Sequence, residues 1–569
     1  MNNDPSNVEG LKEKFSKEIS RRKALKVIGS GVVAGAMLLT GADVLLRSGK
    51  ALAADTKSLT PNDAAVVEGL PIVVAVDTSS KGHRIPDDFS GLSFEVGPLV
   101  AGNAGVNGYM FNPTNSQLIT LFRNIGIKNL RMGGGSVDQR IPVGSGSDGY
   151  AGIDNLFAFA MAANTKVLYS FRLLNLSTSP IPNLMAEEAD IAHYIWNHYQ
   201  SSLSSFAIGN EPDWKSYHTF EGHPRDPLIY ETIAGVPGTA YPSFKANWEN
   251  FANAIRGLVP EAKFSGPETG DYSTSTYTPD PASGVSWTQR FAEDEADSGM
   301  MANITQHLYV GGSPKTTTAE QAIRNMLSPE WVNGTDVGSQ PAGSGTTVTT
   351  YTPYPWFYKQ NIAPVLKTGL PYRMTEANDY LTGVPGASDA FASALWALDY
   401  MHWWAAHQAA GVNFHNKQWL YTDTIVRDQL GNYQTSPKGY GIKAFNLGSN
   451  GFVFPVEIAN PNGVNLTAYA VGEGHNLYVT VINKTHGAEA TDASVTIAPS
   501  GFTAKEASYM VLTSGKPGDA SMMSATLGGE AITNSEEWSG KWTKLDVRTD
   551  GGAIVTVQAA TATIIRIHG

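Results

Sequence analysis

A glutamate between an asparagine and a proline follows a short apolar run near the middle of the chain. Residues 206–208 are Phe-Ala-Ile, Gly209 permits a turn, and Asn210-Glu211-Pro212 come next. Proline cannot donate to a sheet ladder, so the predicted strand ends there. A carboxyl group held at the end of a strand, beside an amide, is suited to general acid catalysis.

A second glutamate, Glu376, ends another predicted strand, residues 372–376. By strand count, Glu211 ends the fourth strand and Glu376 the seventh, and these ends face each other across the top of a closed eight-stranded barrel. Two carboxylates about 5–5.5 Å apart around a glycosidic bond perform double displacement with retention. In that chemistry Glu376 is the nucleophile, while Glu211 protonates the leaving oxygen and then deprotonates water.

The segments that position these glutamates alternate between apolar runs and amphipathic helical patterns, which is typical of parallel βα units. The predicted barrel strands are Ser90–Glu95 and residues 127–131, 167–171, 205–208, 263–267, 303–307, 372–376 and 411–415. A long helix is expected from Ser388 to residue 410. After residue 447 the strands become short and alternating, which indicates a β-sandwich. We therefore predict an α/β fold, a (β/α)8 barrel with a C-terminal antiparallel β-sandwich domain.

Four regions are predicted along the 569 residues. Residues 1–54 form a twin-arginine signal peptide, and 55–85 form a lead-in with a strand that joins the C-terminal β domain. Residues 86–447 form the catalytic barrel, and 448–569 the β-sandwich.

The amino-terminal region carries an export pattern. Arg21-Arg22 precedes an apolar run, and the small residues at 51–54 suit a cleavage site. The segment resembles a twin-arginine signal, and Gly41 and Asp43 keep its apolar run shorter than the ~20 residues that a membrane span requires. We expect export by the twin-arginine machinery to the periplasm or medium, without stable membrane insertion after cleavage. An uncleaved membrane anchor is the alternative.

The charge balance restricts the class of partner. Of 40 Lys and Arg residues, nine lie in 1–54, and of 52 Asp and Glu residues, five do, so the exported chain would carry a net charge of −16. Such a surface repels polyanions, which argues against nucleic acid. The absence of cysteine excludes disulfides and thiolate metal sites. His307 and His415 show no regular ligand spacing, and no cofactor motif is found, so we predict neither metal nor cofactor.

Several motifs resemble a known enzyme family. Glu376-Ala-Asn-Asp-Tyr380, Gly383 and residues 388–399 are similar to the nucleophile region of the heparanase and β-glucuronidase family, glycoside hydrolase family 79. The segments 130–134, 266–267 and 307–309 also resemble that family. Asn-Glu-Pro itself resembles the acid/base motif of retaining glycosidases on (β/α)8 barrels. The resemblance extends from residue 71 to the C-terminus.

The resemblance implies roles for further residues. Asn210 would hydrogen-bond the sugar 2-hydroxyl, and Tyr309 would hold the reactive oxygen of Glu376. Glu95, at the end of the first strand, would bind hydroxyls of the terminal sugar. Asp138, in the loop after the second strand, is a candidate for the same task.

Tyr380 and Gly383 match the positions with which the family binds a uronate carboxylate. Backbone N–H groups bind an anion there without adding charge. This chain has Leu381-Thr382-Gly383-Val384 in place of the family's longer glycine run, so a neutral sugar stays open.

The predicted function is a retaining exo-β-glycosidase, a β-glucuronidase that acts on a glycan or a small glucuronide from the non-reducing end. Exo action is favoured because the acidic chain lacks the basic clusters that an endo-acting enzyme on heparan sulfate needs. The alternatives are that endo-acting enzyme, a β-glucosidase or arabinofuranosidase on the same barrel, and a carbohydrate-binding barrel without catalysis.

Overall fold

A computed structural model describes most of the chain after the predicted signal. The described residues are 71–103, 108–138, 149–173, 183–213, 240–270, 285–314, 316–339, 350–417, 420–549 and 551–569. The signal peptide predicted in 1–54 lies outside them. None of the described helices combines the length and apolar character needed to cross a bilayer.

Eight parallel strands close into a barrel, which confirms the predicted fold class. In chain order the strands up to the end of the barrel are β1 (Ile72–Asp77), β2 (Ser90–Glu95), β3 (Asn129–Gly133), β4 (Lys166–Phe171), β5 (Leu203–Ile208), β6 (Phe264–Thr269), β7 (Met301–Tyr309), the short β8 (Gly338–Ser339) and β9 (Thr350–Tyr351), β10 (Tyr372–Asn378) and β11 (Ala409–His415). The barrel order is β2 to β7, then β10 and β11, which closes on β2. Each predicted barrel segment overlaps one of these strands.

Helices cover the outside of the barrel. They are α1 (Ser116–Ile125), α2 (Ala151–Ala163), α3 (Leu184–Tyr199), α4 (Ala240–Leu258), α5 (Trp287–Glu295), α6 (Ala319–Met326), α7 (Pro329–Asn333), α8 (Tyr354–Phe357), α9 (Ala363–Leu366), α10 (Ala392–Ala406) and α11 (Pro437–Gly448). Their apolar faces pack on the strands. Trp248 of α4, for example, lies edge-on to Phe264 of β6 with ring centroids 5.6 Å apart. This packing buries the apolar surface that holds the strand ends in place.

The predicted helix from Ser388 to residue 410 is wrong at both ends. The hydroxyl of Ser388 accepts a hydrogen bond from the backbone N–H of Val384 at 2.8 Å. That hydroxyl therefore serves a turn before the helix, and α10 begins at Ala392. At the other end Gln408 has a φ of 69°, a left-handed conformation that a helix cannot continue through.

Two further sheets form the β-sandwich. Its strands are β14 (Phe452–Phe454), β15 (Val456–Ala459), β16 (Leu466–Glu473), β17 (Asn476–Asn483), β18 (Ala493–Ser500), β19 (Glu506–Thr513), β20 (Thr526–Leu527), β21 (Thr543–Leu545), β22 (Ala553–Val557) and β23 (Thr561–His568), and β12 (Ile425–Arg427) with β13 (Tyr433–Thr435) makes a hairpin before them. One sheet has the order β15-β1-β18-β22, and β1 runs parallel to β18. Val74, Val479 and Ile565 belong to the core between the sheets.

A buried ion pair joins the barrel to the sandwich. Lys484, which follows β17, places its Nζ 2.9 Å from Oδ2 of Asp399 on α10, and both side chains are at most 2% exposed. The other oxygen, Oδ1, accepts hydrogen bonds from Thr467 and Tyr469 of β16, both at 2.7 Å. The hydrogen-bond and ion-pair partners described for this carboxylate therefore all belong to the sandwich.

Replacing Lys484 by methionine is expected to lower the free energy of unfolding by about 3–5 kcal/mol, because Asp399 would remain buried without a countercharge. Urea denaturation measures the loss. Lys516→Met, at a side chain that is 68% exposed, is the matched control. An equal loss of unfolding free energy in Lys484→Met and Lys516→Met would contradict a stabilising role for the buried Lys484–Asp399 ion pair.

Candidate active site

The carboxyl ends of two barrel strands bring the predicted glutamates together. Glu211 follows β5, and Glu376 lies in β10. One carboxylate oxygen of each lies within 4.8 Å of the other. Both side chains are largely buried, with exposures of 14% for Glu211 and 8% for Glu376. Two segments that are distant in the chain thus form one acidic pair at the strand ends.

The backbone around Glu211 directs its side chain. Glu211 has a φ of 48° after Gly209 at 80°, so the chain turns sharply as it leaves β5. The N–H of Glu211 donates to the carbonyl of Glu268 at 2.7 Å, which fixes that turn against β6. A Cβ atom on Gly270 would lie 2.4 Å from Cγ of Glu211. Only glycine at that position leaves space for the glutamate.

Glu376 is held as a carboxylate by groups on three strands. Tyr309 donates to Oε1 at 2.5 Å, and Arg131 donates from Nη1 to Oε2 at 2.9 Å. The Nδ1 atom of His415 lies 3.7 Å from Oε2. Burial alone would raise the pKa of Glu376, but the charges of His415, His307 and Arg131, with the Tyr309 hydroxyl, lower it to about 2. The group is therefore ionised at neutral pH.

A third carboxylate, Glu268, lies beneath this pair and was missed from the sequence. Its side chain is fully buried. Oε2 lies 2.6 Å from Nη2 of Arg131 and 3.1 Å from Nε2 of His307, and it accepts from the Thr375 hydroxyl at 3.2 Å. The available signal was its position, directly after Gly266-Pro267 at the end of a predicted barrel strand.

His307 links the carboxylates of Glu211 and Glu268. Nδ1 lies 2.9 Å from Oε1 of Glu211, and Nε2 faces Glu268. Burial would lower the pKa of this histidine, but the charge of Glu376 and the bonds to the other two carboxylates raise it to about 9. His307 is therefore a cation at neutral pH, and it orients Oε1 of Glu211 by donating a hydrogen bond.

The raised pKa of His307 gives a pH-dependent stability. A group whose pKa rises on folding stabilises the fold fully below its ordinary value, 6.5 here, and this contribution is lost as the pH rises through about 9. His307→Gln is therefore expected to be less stable than the wild type at pH 6, and the difference in free energy of unfolding should shrink by pH 9.

Urea denaturation at pH 6, 7.5 and 9 tests this. His402→Gln is the matched control, because burial lowers the pKa of His402 to about 3 and keeps it neutral in the folded protein. Only its unfolded state gains a proton near pH 6, so the stability difference of His402→Gln from the wild type should grow slightly as the pH rises. A difference for His307→Gln that does not shrink between pH 6 and 9 would show that no proton is lost from His307 in the folded protein.

Asn210 and Glu95 also lie in this network of contacts. Oδ1 of Asn210 accepts from Nη2 of Arg131 at 2.7 Å. Glu95 accepts from the backbone N–H of Ser136 at 2.8 Å, and its Oε1 lies 2.9 Å from Nζ of Lys417. Burial would raise the pKa of Glu95, but His415, Lys417 and Ser136 hold it well below its usual range.

Three other predicted residues are engaged in packing. Asp138 is buried and accepts from the backbone N–H of Leu173 at 2.8 Å, which ties the loops after β3 and β4 together. Tyr380 is fully buried, and its hydroxyl accepts from Asn325 at 3.2 Å. A Cβ on Gly383 would lie 2.4 Å from the backbone N of Thr422. None of the contacts described for these three is to Glu211 or Glu376.

Glu211, His307 and Glu376 together have the donor types of a cation site. Their atoms already have other partners, however. Tyr309 and Arg131 hold the two oxygens of Glu376, and His307 is a cation itself. A further cation beside Arg131 and His307 would be repelled, and it would have to displace these partners from the carboxylates.

Solved structures share this architecture. A 4-O-α-L-rhamnosyl-β-D-glucuronidase from Fusarium oxysporum 12S aligns with a TM-score of 0.59 at 15% identity, over 86% of this chain and 99% of that one. A GH51 arabinofuranosidase from Xanthomonas axonopodis pv. citri gives 0.58 at 12% identity, over 88% and 100%. A monomeric β-xylosidase from Caulobacter crescentus CB15 gives 0.53 at 14% identity, over 87% and 99%.

The fold is that of glycoside hydrolase barrels. No family model and no curated protein sequence matches the chain. At these identities the likeness concerns the fold, and the chemistry has to be argued from the side chains described above.

Proposed function

We propose that the protein is an exported retaining β-glycosidase of the family 79 type, and that its substrate is a β-glucuronide. The observation that carries the proposal is the approach of Glu211 and Glu376 to within 4.8 Å, with the two glutamates in different surroundings. Glu376 is bonded by Tyr309 and Arg131, whereas Glu211 is bonded by His307. Two carboxyls in distinct environments suit a nucleophile and an acid/base.

In the first step an oxygen of Glu376 attacks the anomeric carbon. The bond from that carbon to the aglycone oxygen breaks, and the oxygen takes the proton of Glu211. Because His307 holds Oε1 of Glu211, Oε2 is the oxygen positioned to donate. The product is a glycosyl ester on Glu376, whose charge is now neutralised.

In the second step water enters where the aglycone was. Glu211 removes one proton from the water as its oxygen bonds to the anomeric carbon, and the ester to Glu376 breaks. The loss of the Glu376 charge in the intermediate supports this change of role for Glu211. The sugar leaves with the configuration it had in the substrate.

Exo action on a glucuronide is the preferred form of this chemistry. The net charge of −12 gives no support to a long polyanion along the cleft. A neutral sugar is the second candidate, and one observation favours it. The Tyr380 hydroxyl, expected to bind a uronate, hydrogen-bonds Asn325 inside the protein.

A panel of nitrophenyl glycosides tests the proposal directly. We expect release of nitrophenol from the β-glucuronide, with the β-anomer of glucuronic acid as the first product by NMR. Turnover of only the β-glucoside or the arabinofuranoside would decide for the second candidate. An α-anomer as first product would refute double displacement.

The acid/base role gives a second measurement. For Glu211→Ala, we expect a loss of about 10²–10⁴-fold in kcat/KM on substrates with poor leaving groups. The loss should be much smaller for dinitrophenyl glycosides, which need no protonation, and azide should restore turnover as a β-glycosyl azide. An equal loss of kcat/KM on substrates with good and with poor leaving groups would contradict the acid/base role of Glu211.

A further inference from the structure

A line of titratable side chains leads from Glu376 to a partly exposed lysine. His415 lies between Glu376 and Glu95, with one ring nitrogen 3.7 Å from each carboxylate. Glu95 in turn lies 2.9 Å from Nζ of Lys417. Burial would lower the pKa of Lys417, but the nearby charges of Glu95 and Glu376 raise it. The line therefore ends in a lysine ammonium next to Glu95.

Lys417 differs from the other basic side chains of the site in its exposure. Arg131 and His307 are fully buried, and His415 is 3% exposed. Each of these three lies within 4 Å of at least one protein carboxylate. Lys417 is 36% exposed. Among the described residues of this network, it is the one whose positive charge a ligand can reach.

The backbone of Lys417 is held in place for such a contact. Its N–H donates to Oδ1 of Asp423 at 2.8 Å, and the N–H of Leu420 donates to Oδ2 at 2.9 Å. A fully buried aspartate thus holds the backbone of Lys417. Less ordering of this residue is then needed on binding, which favours affinity.

A sugar that carries a carboxylate group needs a positively charged partner at this site. Glu211 and Glu376 approach within 4.8 Å, and His415 lies 3.7 Å from both Glu376 and Glu95. A uronate carboxylate bound beside them therefore meets several like charges. An ammonium group offers three donors, and the Glu95 contact uses one of them. A charge-assisted hydrogen bond from a second donor would offset the repulsion.

We infer that Lys417 is the specificity-determining residue that binds the carboxylate of the terminal uronate, while Glu95 accepts from a neighbouring hydroxyl. The inference rests on the proposed function and assigns the anionic group of the substrate to β11 and the loop after it. The segment after the nucleophile, which contains Tyr380 and Gly383, then serves to pack the barrel rim.

The test compares two substrates that differ at one carbon, nitrophenyl β-glucuronide and nitrophenyl β-glucoside. For Lys417→Met we expect the glucuronide-to-glucoside ratio of kcat/KM to fall by about 10- to 100-fold, mainly through KM on the glucuronide. Lys417→Arg should retain most of the preference, since it keeps the charge. Lys516→Met, on the sandwich, should leave the ratio unchanged.

The outcomes separate the inference from the proposed function. An unchanged ratio in Lys417→Met, with the wild type active on the glucuronide, would overturn the role of Lys417 alone. A wild type active only on the glucoside would overturn the uronate assignment and leave the retaining mechanism standing. A wild type inactive on every glycoside of the panel would overturn both.

Discussion

Glu376→Ala is expected to lower kcat by about 10⁴-fold or more on any glycoside that the wild type hydrolyses. The reason is that no other described group in the pocket can replace the attacking oxygen. Glu211 is placed to exchange a proton, and Glu268 is buried beneath Arg131 and His307. The truncation leaves space beside Arg131, and a small anion can occupy it.

Azide or formate should therefore restore part of the activity of Glu376→Ala, and azide should give an α-glycosyl azide, since the anion attacks from the nucleophile's side. Binding of a substrate analogue should persist in the variant. Glu320→Ala, at a side chain that is 86% exposed, is the control and should keep full activity. Turnover by Glu376→Ala equal to that of the wild type would exclude Glu376 as the nucleophile and with it the proposed mechanism.

Arg131→Met is expected to have the second large effect, on stability and on the pH profile together. Arg131 is fully buried and bonds Glu376, Glu268 and Asn210. Removal of one member of a buried ion cluster costs about 3–5 kcal/mol, because the remaining charges stay buried without compensation. The pKa of Glu376, held at about 2 in part by this arginine, should rise.

Since Glu376 must be ionised to attack, the acid limb of kcat/KM should move to higher pH in Arg131→Met. Arg131→Lys keeps a charge in the pocket and provides a measurable enzyme if the methionine variant does not fold.

The matched control is Arg373→Met. Arg373 is equally buried but lies at the start of β10, with Asp88 and Asn413 as partners. Arg373→Met should be less stable than the wild type, but the acid limb of its kcat/KM profile should stay at the wild-type pH. An identical shift of the acid limb in Arg131→Met and Arg373→Met would argue against a direct effect of Arg131 on Glu376.

Glu268 shows why part of the site escapes sequence reasoning. Its place at a strand end was visible, but a glutamate is most often a solvated residue. Glu268 differs from such a residue because Arg131 from β3 and His307 from β7 both contact its Oε2 atom. The sequence separations of these partners are long, so no local pattern reports the contact.

Tyr380 and Gly383 carry a recognisable motif, but their contacts come from the tertiary structure. The resemblance predicts a uronate site at these residues, and in the structure the tyrosine ring packs where a Cβ on Gly311 would lie 2.2 Å from it. Packing against a neighbouring loop decides which way such a side chain faces. Lys417, in contrast, carried no motif and became a candidate only through its distance to Glu95.

The order and apolar character of the strands were determined by the sequence alone, because each strand is a local run and parallel strands present their carboxyl ends at one rim. That rule was enough to predict that Glu211 and Glu376 would lie close together, and their carboxylates approach within 4.8 Å. The tertiary structure decided the rest: which cations neutralise which carboxylates, and which donors stay accessible to a ligand. These pairings depend on the register of strands that are far apart in the chain and on the direction in which their side chains point. The order of residues in the sequence does not give the distances between those side chains.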